Sequence, residues 1–322
     1  MGAIIVPQVE SADGFMSSKI ASNSAPPVLR AQNVRKRFGK FEAVGGINFA
    51  VERGQCVGLL GPNGAGKTTT MRMIMGLSTV TSGTLCLFGT PVHRMRRDQV
   101  AAVGLVPQED NLDPELRVDE NLTVYGRYFG LSRGVLRQRV PKLLEFMQLH
   151  ERRQSLVHEL SGGMKRRLII ARALIAEPDF IVLDEPTTGL DPQARVLIWK
   201  QLLALKEQNK TLLLTTHYMD EAERLCDHII IIDGGQVLAE GSPGALISEF
   251  VKGNVFEIAK PLTAELSLAS WDHEDIGDAV LVYVEDAAEF ARVAPPQITY
   301  LHRPANLEDV FLRLTGRALR EP

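Results

Sequence analysis

Gly61-Pro62-Asn63-Gly64-Ala65-Gly66-Lys67-Thr68 follows directly on the apolar run Cys56–Leu60 and leads into a helix-forming stretch. The pattern GxxxxGK[ST], set between a strand and a helix, wraps the backbone so that successive N–H groups face one point. Glycines at 61, 64 and 66 let the main chain approach a ligand with no Cβ in the way. Polyphosphate oxygens suit such a cradle, and the following helix turns its positive end toward them. Lys67 can reach the β- and γ-phosphates of ATP, and the Thr68 hydroxyl can ligate Mg²⁺, with Thr69 completing the loop's contacts. A glycine-rich turn without function would carry the glycines but not this strand and helix context. The unit belongs to an α/β sheet.

Two further segments have the same flavour. Phe180-Ile-Val-Leu-Asp184-Glu185 is a buried apolar strand closing on paired carboxylates, with Pro186 ending it. The spacing places Asp184 near the metal, through a water, and Glu185 beside the γ-phosphate, where it polarises the attacking water. Leu160-Ser161-Gly162-Gly163-Met164 followed by Lys165-Arg166-Arg167 reads as a capped start of a cationic amphipathic helix. Its free N–H groups make a second anion site, distinct from the first loop. One nucleotide pocket does not use two such helix starts. A head-to-tail dimer, with ATP held between opposite chains, uses both.

In this order the glycine-rich loop, the Leu160–Met164 signature, Asp184-Glu185, Gly189-Leu190-Asp191-Pro192 and Thr216-His217 resemble the ATP-binding cassette family from about Val28 to Gly241. The resemblance implies an α/β P-loop NTPase cassette, a RecA-like core with antiparallel β and helical subdomains. It also implies roles at matching positions. Gln108, in Val106-Pro107-Gln108, would sense Mg²⁺ and the γ-phosphate beside the contact with a transporter. His217 would hold the γ-phosphate and water, and Asp191 would work across the dimer. Phe38 would stack on adenine, with Phe where Tyr is common. Ser161, Gly162 and Gly163 would contact the partner's nucleotide, and Met164 stands where the family often has glutamine.

Chain-wide properties narrow the class. The 322 residues allow about two domains, and the composition, 45% hydrophobic and 23% charged, is that of a globular protein. A net charge of −3 supplies no basic field for nucleic acid, so none is expected as a partner. Cys56, Cys86 and Cys226 form no CxxC pair and read as buried reduced thiols. No apolar run reaches the roughly 18 residues that span a bilayer. Residues 1–27, rich in Ser, Ala and Pro, read as a disordered tail, with Met16 an alternative start. The cassette is expected over 28–244, with a helical subdomain at about 109–160. A small α+β module fills 245–322, with strands at Val255–Ala259, Ala279–Val284 and Ile298–Leu301, each followed by a helix. In the last helix, Leu307, Val310, Phe311 and Leu314 share one apolar face, leaving Glu308, Asp309, Arg313 and Arg317 to solvent.

Only 94 residues separate Lys67 from Ser161, with no heptad run between them, unlike cassette ATPases of DNA repair and chromosome structure. Ribosomal types carry two cassettes per chain. A homodimer serving a membrane permease fits better, and a regulatory cassette ATPase stays open as the alternative. Segments such as Asn121-Leu122, Tyr125–Phe129, Thr215–Glu223 and Asn306–Gly316 resemble bacterial export cassettes, in particular those of nodulation-factor export. That resemblance implies a NodJ-like permease, a lipo-chitooligosaccharide cargo and a place on the cytoplasmic face of the bacterial inner membrane. Drug, polysaccharide and other lipid exporters use similar cassettes, and cargo selection belongs to the permease.

Overall fold

The computed structural model describes residues 26–251, 253–260, 271–295 and 298–316. The expected tail lies outside these residues up to 25, as do Arg317 and the helix expected after Val255–Ala259.

β1 (Leu29–Phe38) and β2 (Phe41–Val51) form a hairpin, turned at Gly39 with φ of +59°. With β4 (Ser82–Leu87) and β5 (Thr90–Pro91) they build an antiparallel sheet in the order β2-β1-β4-β5. The last two strands carry little alternation; Ser82, Gly83 and Thr84 are exposed, so the sequence pattern does not signal them.

The central sheet contains β3 (Cys56–Leu60), β6 (Val103–Val106), β7 (Phe180–Asp184), β8 (Thr211–Thr216), β9 (His228–Asp233) and β10 (Gln236–Gly241). Its order is β10-β9-β3-β8-β7-β6. The pairings among β3, β6, β7, β8 and β9 are parallel, and β10 returns antiparallel through Gly234-Gly235. β3, β7 and β8 are buried along their whole length, because both sheet faces are covered. The consequence for function is positional. The glycine-rich loop follows β3, Gln108 follows β6, Glu185 follows β7 and His217 follows β8. All four lie at the carboxyl edge of one sheet, where α/β folds bind ligands.

Helix α1 (Lys67–Ile74) leaves the loop and buries Met71, Met73 and Ile74. α2 (Arg97–Ala101) precedes β6. α3 (Val118–Tyr128), α4 (Arg133–Phe146, capped by Ser132) and α5 (Gly162–Leu174) pack together. α6 (Pro192–Glu207) and α7 (Met219–Leu225) follow β7 and β8. Cys56 and Cys226 are buried free thiols, whereas Cys86 is only half-buried.

Beyond β10, α8 (Pro243–Phe250) precedes β11 (Asn254–Ala259), β12 (Asp272–Asp275), β13 (Ala279–Val284), α9 (Ala287–Val293), β14 (Tyr300–Pro304) and α10 (Leu307–Thr315). The strands form an antiparallel sheet, β12-β13-β11-β14. β13 is buried on both faces: Val280, Val282 and Val284 pack with Phe256 and Phe290, while Leu281 and Tyr283 join the large core of the preceding sheet. Leu246, Leu307, Val310 and Phe311 belong to that same large core.

The last strand sits at Tyr300–Pro304 instead of Ile298–Leu301. β12 was not foreseen, since its acidic sequence Asp-His-Glu-Asp lacks an apolar face. Asp309 is not solvated: its side chain is 1% exposed and pairs with Arg303, completing a capping box with Asn306. Arg313 is likewise drawn in, its guanidinium 4.2 Å over the Tyr283 ring.

Candidate functional site

The loop after β3 is held closely. A Cβ at Gly61 would lie 2.1 Å from the Ile232 carbonyl oxygen, and one at Gly66 2.6 Å from that of Ala43. Gly66 also has φ of +103°, which glycine alone adopts without strain. Pro62, Asn63 and Ala65 complete the turn, with Ala65 buried and Asn63 exposed. Lys67 is buried, and its ammonium donates to the carbonyls of Gly61 at 2.7 Å and Pro62 at 3.1 Å. Burial lowers its pKa, and the charges of Glu185 and Asp184 oppose that shift. Thr68 is exposed and Thr69 half-buried in the first turn of α1. Phe38, 54% exposed, ends the strand whose hairpin partner runs into Ala43, against Gly66. One face of its ring is taken by the Lys36 ammonium, 4.9 Å from the centroid.

Glu185 is the meeting point. Gln108 donates from Nε2 to its Oε2 at 3.1 Å, Thr188 donates to the same oxygen at 3.1 Å, and His217 Nδ1 lies 3.5 Å from Oε1. The His217 bond is the largest cause holding the carboxyl below its ordinary range, against the opposing pull of burial. Glu185 adopts φ of +44°, a left-handed conformation costing a non-glycine residue roughly 1–2 kcal/mol. Its N–H donates to both the carbonyl and the hydroxyl of Thr215, each at 3.1 Å. The Thr215 hydroxyl in turn donates to Asp184 Oδ1 at 2.5 Å. Burial raises the Asp184 carboxyl, and this hydrogen bond offsets part of the effect.

Ser161 and Asp191 stand apart from this cluster as helix caps. Ser161 Oγ accepts from Met164 N at 3.3 Å, and Asp191 Oδ1 accepts from Ala194 N at 2.9 Å. The two caps belong to neighbouring helices: a Cβ at Gly163 would meet the Ala194 Cβ at 2.9 Å. Gly162 faces open space. Among the described residues, no hydrogen bond joins Ser161, Gly162 or Gly163 to the loop after β3.

Sequence reading missed Thr215, Thr188, Arg166 and Glu221. Arg166 is buried, not on a solvated cationic face. The available signal was its spacing: Arg166, Ile169, Ile170 and Ala173 recur as i, i+3, i+4, i+7, so the cation sits in the apolar stripe. Glu221, 0% exposed, accepts from Thr187 at 2.8 Å and Trp199 at 3.0 Å. Nothing in the sequence separates it from its exposed neighbour Asp220.

The family model "ABC transporter" matches residues 44–188. Among solved structures, one titled as the ATP-binding subunit of an ABC transporter is 30% identical, with a TM-score of 0.63 over 69% of this chain and 93% of that one. A dimeric post-hydrolysis cassette bound to ADP and Pi is 28% identical, with a TM-score of 0.60 over 66% of this chain and 98% of its own. Fold and site define an ABC-family ATPase, a nucleotide-binding subunit that energises a membrane permease. A second model, for the C-terminal domain of the nodulation factor export protein NodI, matches residues 263–316. Nod factor export ATP-binding protein I of Cupriavidus metallidurans is 51% identical over 300 residues, covering 91% of this chain and 99% of the relative. The protein of that name in Paraburkholderia xenovorans is 52% identical over 299 residues, covering 91% and 98%. The chain belongs to the Nod factor export ATP-binding protein I family.

Proposed function

We propose that two copies of this chain close head to tail on two ATP molecules and hydrolyse them to drive an export permease. The observation that carries this reading is the convergence of Gln108 and His217 on the two oxygens of Glu185, at the sheet edge that also bears Lys67. Glu185, kept ionised, accepts a proton from the attacking water, while His217 and Gln108 fix the carboxylate's orientation. Lys67 exchanges its loop carbonyls for the β- and γ-phosphates, to whose oxygens the backbone N–H groups of Asn63–Thr69 donate. Phe38 offers adenine the ring face left open by Lys36.

Mg²⁺ fits the donor set: Thr68, Gln108 and Asp184 supply only oxygen, and a cation of this kind takes few protein ligands beside phosphate and water. When bound, it neutralises charge on the phosphates. Asp184 would reach it through a water, and Gln108, with Nε2 on Glu185, leaves its carbonyl oxygen available. Ser161, Gly162 and Gly163 would meet the nucleotide of the opposite copy, with Asp191 beside them.

Residues 28–244 are assigned to the cassette, with its helical part at about 109–160, and 245–322 to an accessory or regulatory module. An apolar cleft of about 450 Å³, lined by Met75, Leu87, Val92, Val100, Tyr125 and Phe129, offers the permease a docking face beside β6, the strand that leads to Gln108. Among the described residues no helix is long and apolar enough to cross a membrane. Attachment through a NodJ-like permease, at the cytoplasmic face of the inner membrane, suits that. The names of the relatives favour a Nod factor as cargo, which the family resemblance makes a lipo-chitooligosaccharide.

The test is Glu185→Gln, which keeps shape but not basicity. ATP binding should persist, turnover should fall by roughly 10²–10⁴, and an ATP-dependent dimer should elute from a sizing column. Turnover within a few-fold of the parent, or no dimer, would sink the reading. Cargo needs its own measurement: co-expression with the permease and mass spectrometry of the exported lipid.

A further inference from the structure

α5 begins at Gly162, and one turn later Arg166 points into the protein, 7% exposed. Its guanidinium donates to main-chain carbonyls of two different loops. Nε reaches Pro186 at 2.7 Å, and Nη2 reaches Asp184 at 2.9 Å and Glu185 at 3.0 Å. Nη1 reaches Pro107 and, at 3.4 Å, Gln108. The side chains on those backbones, Glu185 and Gln108, are the pair that meet at 3.1 Å. One side chain thus ties together both backbones that place the catalytic carboxylate and its glutamine partner.

Only arginine has the form for this. A planar fork of five N–H donors can serve two loops at once, whereas lysine offers three donors from one point. Burial draws the guanidinium down to about 10, so the cation persists at neutral pH. A buried cation satisfying loop carbonyls could be structural and no more. What gives this one a further consequence is where it is anchored. Ser161 to Arg166 is a cap and little over one helical turn, rigid on the scale of a side chain, and a Cβ at Gly163 would find no room beside Ala194, so that turn lies close against α6. A shift of the helix start carries the guanidinium with it, and with the guanidinium five carbonyls around the chain's own catalytic groups.

We propose that Arg166 is a positioning residue that couples the two nucleotide sites of the dimer. It carries the seating of the α5 start on the partner's nucleotide to the backbones of Glu185 and Gln108, which act on the nucleotide in their own chain. The proposal rests on the head-to-tail reading above.

The experiment compares full-length Arg166→Gln and Arg166→Lys with the parent for melting temperature, ATP affinity by fluorescent-nucleotide titration, and steady-state ATPase. Misplacing the catalytic carboxylate should lower kcat by ~100-fold in Arg166→Gln, with ATP affinity within about threefold of the parent. Arg166→Lys, which keeps the charge and some of the carbonyl contacts, should fall between; it carries the same test if the glutamine variant does not fold. A folded variant with parental kcat overturns the proposal. So does a loss of ATP affinity as large as the loss of kcat, which would mean that the site collapses instead of losing alignment. Dimerisation of Glu185→Gln and turnover of Arg166→Gln together separate the two readings. No ATP-dependent dimer from Glu185→Gln alone brings down the head-to-tail model and the coupling with it. A dimer from Glu185→Gln, together with normal turnover in Arg166→Gln, brings down the coupling alone. The doubly substituted chain should still dimerise, and its failure to do so would make Arg166 an assembly residue and overturn the positioning role.

Discussion

Glu223 accepts a hydrogen bond from the backbone N–H of Leu307 at 2.7 Å, so the carboxy-terminal helix α10 starts on a side chain of α7, the helix that follows His217. The apolar face of α10 continues that attachment: Leu307, Val310 and Phe311 are fully buried in the same core as Ala222 and Leu225 of α7. The carboxy-terminal helix is therefore joined to α7 by a hydrogen bond and a shared core. Phe311→Ala should cost about 3–5 kcal/mol and lower a single melting transition of the whole chain. Glu223→Ala should cost about 1 kcal/mol. Calorimetry checks both, and a separate early transition in Phe311→Ala would mean that the module unfolds independently.

Two glycines separate local fold from intermolecular contact. A Cβ at Gly61 collides with the Ile232 carbonyl, so Gly61→Ala should destabilise the isolated chain. A Cβ at Gly162 meets nothing within 4 Å, and Gly162 does not hold a positive φ. Gly162→Ala should therefore melt at or slightly above the parent temperature, since alanine restricts the unfolded chain by about 0.4–1 kcal/mol. On the proposed head-to-tail closure its ATPase should nonetheless fall, because the new methyl would occupy the place of the other copy's phosphate. Parental ATPase in Gly162→Ala would remove Gly162 from the composite site.

The contrast between these glycines also shows what the sequence could reveal. The loop after β3 was legible because its chemistry is local: glycines, lysine and threonine act within eight consecutive residues. β3, β7 and β8 were legible because both faces are covered, which leaves unbroken apolar runs. β12 was not, since an acidic edge strand carries no such mark. Glu185, Gln108 and His217 could be named singly from flanking motifs, yet their meeting depends on β6, β7 and β8 lying side by side. Thr215 is one of six buried residues in β8, and only the fold shows its hydroxyl on Asp184. Asp309 read as solvated because its partner Arg303 lies on another element, and the pair is made by the turn between them.

Glu221 supplies a pH signature. Burial raises its carboxyl above the ordinary value of 4.5, with the hydroxyls of Thr216 and Thr187 opposing. The folded chain thus keeps this proton to higher pH than the unfolded chain does. The favourable contribution is fully present below the unfolded value and is lost as pH rises through the folded one. Glu221→Gln has no proton to lose and keeps a carbonyl oxygen for Thr187 and Trp199. Its stability relative to the parent should rise as pH increases above the ordinary carboxyl value of 4.5, measured by urea unfolding at each pH. A difference that does not change with pH would show that Glu221 ionises as readily in the fold as outside it.

Arg303 and Asp309 form a two-pronged pair, Nη1 to Oδ2 and Nη2 to Oδ1, both at 2.7 Å. The partners are unequally buried: the arginine side chain is 24% exposed and the carboxylate 1%. Asp309 also accepts from the Asn306 N–H at 2.9 Å, closing the cap of α10. Removing one partner or the other should therefore have different costs. Arg303→Met leaves a carboxylate with no route to water and no countercharge, eased only by the helix start, and should cost about 3 kcal/mol. Asp309→Asn keeps an oxygen for the Asn306 N–H and lets the arginine turn toward solvent, so about 1 kcal/mol is expected. Because α10 stands on α7, the larger loss should appear in global unfolding by denaturant and not only as fraying of the last helix. Equal costs, or the reverse order, would mean that water reaches Asp309 and that the pair behaves like an exposed one.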